Sequence, residues 1–114
     1  MIKKEIDYSD FENIDIRLGT IIKAEEIDKL RKPSILLRID FGDEIGIKKS
    51  SAQLRKNYNA NELLNKQVIA VVNFKPKQIG GIISEVLVLG LPDENNEPIL
   101  LSLPTKLKNG VQLY

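Results

Sequence analysis

The stretch NANELLNKQVIAVVNF, residues 59–74, decides the architecture. Asn59 stands as a helix N-cap three residues before Glu62, the spacing at which cap and acid satisfy each other's backbone N–H, and Leu63 and Leu64 follow as apolar anchors. A short helix near residues 60–65 is therefore expected. Residues 67–74 that follow are rich in β-branched side chains and read as a strand. On it Val68, Ala70, Val72 and Phe74 share one face, read as core, while Ile69, Val71, Asn73 and Lys75 share the other.

Working outward, residues 14–27 alternate Ile14, Ile16 and Leu18 with Asp15, Arg17 and Gly19, the period-two signature of a strand with one buried face. Gly19 marks a bend or a close crossing. Residues 34–41 form a second strand, Gly42 to Glu44 a turn, and residues 45–49 a short third strand. Residues 82–91 supply a fifth. Five strands with one small helix between the third and fourth follow the order of an OB-fold barrel, an all-β fold with short helices.

Short features complete the chain. Ser9 with Glu12 reads as a capping box for an N-terminal helical turn. Residues 29–33 and 75–81 are loops, the latter broken by Pro76 and the paired Gly80 and Gly81. Residues 92–96 turn into a hairpin return at 98–103, and Asn109-Gly110 is a tight-turn signal that lets 111–114 fold back as a C-terminal hairpin extension. No repeat or linker divides the 114 residues, so 1–114 is read as one domain.

Composition narrows the chemistry. At 42% hydrophobic and 29% charged residues the chain is globular rather than disordered. It holds neither His nor Cys. That removes imidazole bases, thiol nucleophiles, disulfides and zinc sites, leaves no cofactor motif, and sets catalysis aside. Apolar runs such as 68–72 fall far below the ~20 residues of a membrane span, and MIKKEIDYSD lacks the apolar core of a signal peptide. A soluble, cytoplasmic protein is expected.

The net charge of +1 conceals an asymmetry. Residues 45–84 carry seven basic side chains (Lys48, Lys49, Arg55, Lys56, Lys66, Lys75, Lys77) against the single acid Glu62, a net +6, and the remainder is net −5. Such a segment either presents a basic patch that steers polyanions or spreads solvated lysines over the surface.

Gly42, Gly46, Lys48 and Ser50 imitate a phosphate loop, but only three residues separate the glycines and Ile47 intervenes before the lysine, so that reading fails. Asp40, Asp43 and Glu44 offer too few oxygens for a hard cation and read as a solvated turn. Two segments carry more. Lys48, Lys49, Ser50, Ser51 and Gln53 set charge, hydroxyls and an amide in succession where the third strand ends. Asn73, Lys75, Lys77 and Gln78 repeat that chemistry around Pro76, with Ser84 on the next strand. Lysines supply point charge for phosphate; Ser, Asn and Gln supply donors for sugar and base edges. A barrel can bring both segments, with Arg55, to one surface. Aromatic stacking is scarce, because Phe11, Phe41 and Phe74 read as core and only Tyr58 lies in the basic segment; shape recognition of a structured RNA fits better than single-strand reading.

The segments DIRLGTI (15–21), KKSSAQ (48–53), VNFKPKQI (72–79) and SEVLVLG (84–90) together resemble the tRNA-binding domain family, in particular its stand-alone CsaA-type members associated with secretion. The resemblance runs from about residue 11 to the C-terminus. It implies an OB-fold homodimer without catalytic activity or metal, with tRNA held at the outer corner of its L as one partner. Unfolded or precursor polypeptides and the export translocase are the other implied partners. By motif it places the family's surface residues at 48–53, Asn73, Lys75, Lys77, Gln78 and Ser84. Lys75 departs from the proline that many members carry there. The apolar stretches 99–101 and 111–114 are open to a twofold interface or to burial within the chain.

Overall fold

In the computed structural model, which describes residues 1–28, 32–79 and 81–114, the long second and first strands form the centre. β1 (Ile16–Ile27) runs antiparallel to β2 (Ser34–Asp40), and β2 to β3 (Ile47–Ala52). The rest follow as α1 (Tyr8–Glu12), α2 (Ala60–Leu63), β4 (Gln67–Val71), β5 (Lys77–Ile79), β6 (Ile82–Ser84), β7 (Leu87–Val88), β8 (Gly90–Pro92) and β9 (Pro98–Leu100). The main sheet has the order β3-β2-β1-β4-β7, with β5–β6 and β8–β9 as separate hairpins. Lys29, Leu30 and Arg31 of the expected 29–33 loop, and Gly80, lie outside the described residues.

β1 curls the sheet by serving two partners. Ile16 to Thr20 pair with β4, and Thr20 onward pairs with β2, with a register shift between Ile21 and Lys23 just after the changeover. The far edges then approach each other. The Glu85 N–H donates to the Lys49 carbonyl at 2.8 Å, and the Ser50 hydroxyl to the Val86 carbonyl at 3.1 Å. The result is the nearly closed, five-stranded antiparallel barrel expected of an OB fold.

Strict alternation fills it. Ile35, Leu37, Ile39 and Phe41 all point inward and are fully buried with Ile21, Val68 and Ala70. Leu63 of α2 is buried with them. Asn59 caps α2 as expected: its Oδ1 accepts the Glu62 N–H at 2.9 Å while Glu62 Oε1 accepts the Asn59 N–H at 2.7 Å. Gly19 marks a close crossing, since a Cβ there would sit 2.7 Å from Phe41 Cδ1. Gly110 adopts φ of +92°, and the tail beyond it lies along the start of β1, with the Leu113 N–H on the Ile16 carbonyl at 2.9 Å.

Five local expectations are corrected. α1 is capped by Asp7, not Ser9, with the Asp7 N–H donating to Asp10 Oδ2 at 3.1 Å. β3 begins at Ile47 because Gly42 and Gly46, both at positive φ, build a wider turn, and it continues through Ser50 and Ser51. β4 stops at Val71: the Val72 N–H still reaches the Asp15 carbonyl in register at 2.8 Å, but the Asp15 N–H donates to Asn73 Oδ1 at 3.0 Å instead of back to the strand. The expected 75–81 loop contains β5, paired with β6 through Lys77–Ser84 and Ile79–Ile82. The single strand expected at 82–91 is divided into β6, β7 and β8 because its partner changes along the way: β6 pairs with β5, Glu85 bonds Lys49 of β3, β7 pairs with β4 and β8 with β9.

Candidate nucleic-acid interface

Between the end of β3, residues 74–79, the β6–β7 edge and β9 lies a groove of about 600 Å³. Ser50, Ser51 and Gln53 line it together with Lys75, Lys77 and Ser84. The two polar segments read from the sequence therefore meet. Lys75, Lys77 and Gln53 are exposed, and none of the three has an ion pair or side-chain hydrogen bond within the described residues. Six candidates are thus brought together, and with the Ser51 hydroxyl four polar heads have no side-chain partner among the described residues.

Not every polar group is free. The Ser50 hydroxyl is buried on the Val86 carbonyl, and Ser84 Oγ accepts the Ser51 N–H at 3.2 Å while donating to Val86 at 3.3 Å. Both side chains hold the barrel seam. The Ser51 hydroxyl, by contrast, has no partner among the described residues.

The remaining candidates lie off the groove lining. Lys48 and Lys49 are half-buried on β3, opposite Ile39 and Arg38, and the Lys49 backbone N–H donates to Glu85 Oε1 at 2.9 Å. Gln78 sits between two lining residues on β5, opposite Ile83. Arg55 is turned to the opposite charge: its guanidinium pairs with Asp28 and, at 3.1 Å, with Glu26. The hydrogen bond to Asp28 foremost raises its pKa.

Asn73 has a positioning role. Its Oδ1 accepts the Asp15 N–H at 3.0 Å and its Nδ2 donates to the Asn13 carbonyl at 2.8 Å. The carboxamide thereby fixes the backbone just before the groove. Arg17 likewise ties segments together through Asp15 at 2.6 Å, Glu44 at 2.9 Å and the Gly110 carbonyl at 3.0 Å. The bonds to Asp15 and then Glu44 raise its pKa and keep it charged. Of the acidic turn, Glu44 serves Arg17 and Asp40 accepts the Gly42 N–H at 2.8 Å. Among the described residues no three of His, Cys, Asp and Glu converge as metal ligands.

Sequence reasoning missed the apolar part of the groove. Phe74, expected in the core, is 54% exposed and lines the mouth with Ile79 and Leu87. Phe11 is half-buried beside Tyr8, so Phe41 alone of the three phenylalanines is a core residue. The signal was present in the Pro76 that follows: a strand cannot carry its inward face up to a residue whose neighbours must turn. Tyr58 is packed against the core with its hydroxyl accepting the Leu100 N–H at 3.0 Å.

Comparison with known proteins agrees with this geometry. Residues 16–112 match the family described as "Putative tRNA binding domain". The chain is 33% identical over 107 residues to the methionine–tRNA ligase of Methanocaldococcus jannaschii, covering 94% of this chain and 16% of that protein. The crystal structure of the chaperone CsaA from Bacillus anthracis superposes with a TM-score of 0.90 at 45% identity, covering 97% of this chain and 100% of that one. CsaA from Picrophilus torridus gives 0.88 at 46% identity, covering 96% and 100%. The chain thus spans a small part of the curated ligase but the whole of both CsaA structures.

Proposed function

Because the chain belongs to the tRNA-binding domain family and shares its fold with CsaA chaperones over their full length, we propose that it is a non-catalytic binding module, working as a homodimer, that holds tRNA or another structured RNA in the groove between β3 and β5. One observation carries this reading: the ammonium groups of Lys75 and Lys77, the Ser51 hydroxyl and the Gln53 amide, all without a side-chain partner among the described residues, line one groove. The lysines take phosphates, and Gln53 and Ser51 take sugar or base edges. Among the described lining residues the one carboxylate, Glu85, already accepts the Lys49 N–H, and no lining hydroxyl is hydrogen-bonded to a side-chain base. Exposed Leu91, Ile99, Val111 and Leu113 support a twofold interface. A tRNA ligand puts the site of action in the cytoplasm.

The test is an anisotropy titration with labelled tRNA at low and moderate salt, with an unfolded precursor peptide as competitor. With about four phosphate contacts per subunit, log affinity falls against log salt with a slope on the order of −3. A slope near zero overturns the reading.

A second reading has its own observation, the exposed Phe74, Ile79 and Leu87. They suit the side chains of an unfolded or precursor polypeptide, passed on to the export translocase, and such binding would be little affected by salt. Peptide binding without tRNA binding would favour it.

A further inference from the structure

We propose that Phe74 is the stacking platform for one unpaired nucleobase of the bound RNA, so that the groove holds an extruded base as well as the backbone; this rests on the RNA-binding reading above. Phe74 is the most exposed of the three phenylalanines. Phe41 is fully buried, and the ring pair among the described residues, Tyr8 with Phe11, lies elsewhere. Leaving a phenylalanine side chain half exposed forfeits burial energy that the fold collects from Phe41.

The backbone that carries the ring is also held in place. Before it, Val72 and Asn73 are bonded to Asp15 and Asn13; after it, Pro76 fixes the backbone and Lys77 enters the β5–β6 hairpin opposite Ser84. A platform fixed from both sides loses little freedom when a ligand stacks on it. Its surroundings match a nucleotide in composition. Lys75 and Lys77 follow the ring one and three residues on and line the same groove with no anionic partner among the described residues, suited to the phosphates of a nucleotide stacked there. The free Gln53 carboxamide offers the donor and acceptor that a base edge needs. The volume of about 600 Å³ is of the size that takes one small-molecule unit. Unstacked bases of structured RNAs are held in this way, on an aromatic face with their edges hydrogen-bonded.

The chain has no tryptophan, so Phe74→Trp installs a single tryptophan at the platform, whose emission is read apart from that of the three tyrosines. Titration with tRNA is expected to quench its emission, with affinity within a few-fold of wild type. Phe74→Ala is expected to weaken tRNA binding by roughly 5- to 150-fold, the usual cost of losing one stacked base, with the salt slope unchanged, and Phe74→Tyr to restore it. Circular dichroism of each variant confirms folding. Tight tRNA binding by wild type with no quenching and no loss in Phe74→Ala overturns the stacking role and leaves the RNA reading standing. No tRNA binding by wild type overturns both. A blue shift with an unfolded precursor peptide, and no quenching by tRNA, assigns the ring to polypeptide side chains and overturns the proposal.

Discussion

The Asn73 carboxamide accepts the Asp15 N–H at 3.0 Å, joining residues 58 apart in sequence at the point where β4 ends. Its Nδ2 reaches the Asn13 carbonyl at 2.8 Å, so one side chain takes the place of a strand partner for the segment leading into β1. Asn73→Ala removes both bonds at an exposed site. Net costs of ~0.5–1.5 kcal/mol per hydrogen bond predict a loss of about 1–2 kcal/mol, read in urea unfolding. Asn73→Asp keeps the acceptor for Asp15 and sets a carboxylate against the Asn13 carbonyl, so it should be no better than Ala. A variant of either kind as stable as wild type would contradict the clamp.

Gly19 gives a core prediction. A Cβ at this buried position would lie 2.6 Å from Ile39 Cγ2 and 2.7 Å from Phe41 Cδ1, both on fully buried side chains. Neither neighbour can withdraw into solvent, so Gly19→Ala should destabilise by about 1–3 kcal/mol, the range for overpacked cores. Adding Phe41→Leu opens space beside the new methyl, and the double variant should lose less than the two single losses combined. Strict additivity in denaturant titrations would show that the methyl is accommodated elsewhere.

These cases mark what was legible in the chain. The strand expected at 34–41 and the Asn59–Glu62 cap are local patterns, and both stand in the structure. So does the meeting of the two polar segments, which follows from barrel topology once strand order is right. The misplaced features depend on distant partners. Period-two reading carried β4 on to Phe74: Pro76 warns of a turn close by, but that the ladder stops as early as Val71 depends on Asp15, 58 residues before the Asn73 that takes its N–H. Arg55 looked like one more cation of a basic segment, and its acids lie 27 and 29 residues upstream on β1 and just beyond it.

The β8–β9 hairpin should be acid-sensitive through Asp93. Its carboxyl is held below the ordinary value of 3.8, first by the Glu97 N–H, then by the Asn57 side chain, with the Asn95 N–H adding to them. A carboxyl whose pKa is lower folded than unfolded contributes stability above the unfolded value and loses it as pH falls through the folded one. Any advantage of wild type over Asp93→Asn should therefore be present at pH 7 and shrink below about pH 4. Thermal unfolding at pH 7, 4 and 2 reads this directly. A gap between the two proteins that stays constant down to pH 2 would count against it.

The sharpest separation among the cations lies between Arg55 and Lys77. From sequence they are equivalent members of one basic segment. In the fold the Arg55 guanidinium is neutralised by Glu26 and Asp28, whereas Lys77 lines the groove without an anionic partner. To bind a phosphate, Arg55 would first have to surrender two carboxylates, so it releases no RNA counterion. Lys77→Ala should weaken tRNA binding at every sequence tested and reduce the magnitude of the salt slope by about 0.7–0.9. Arg55→Ala should leave both affinity and slope unchanged. Parallel anisotropy titrations of the two variants over a salt series make the comparison. Equal losses in both would mean that bulk charge, and not groove geometry, directs the RNA.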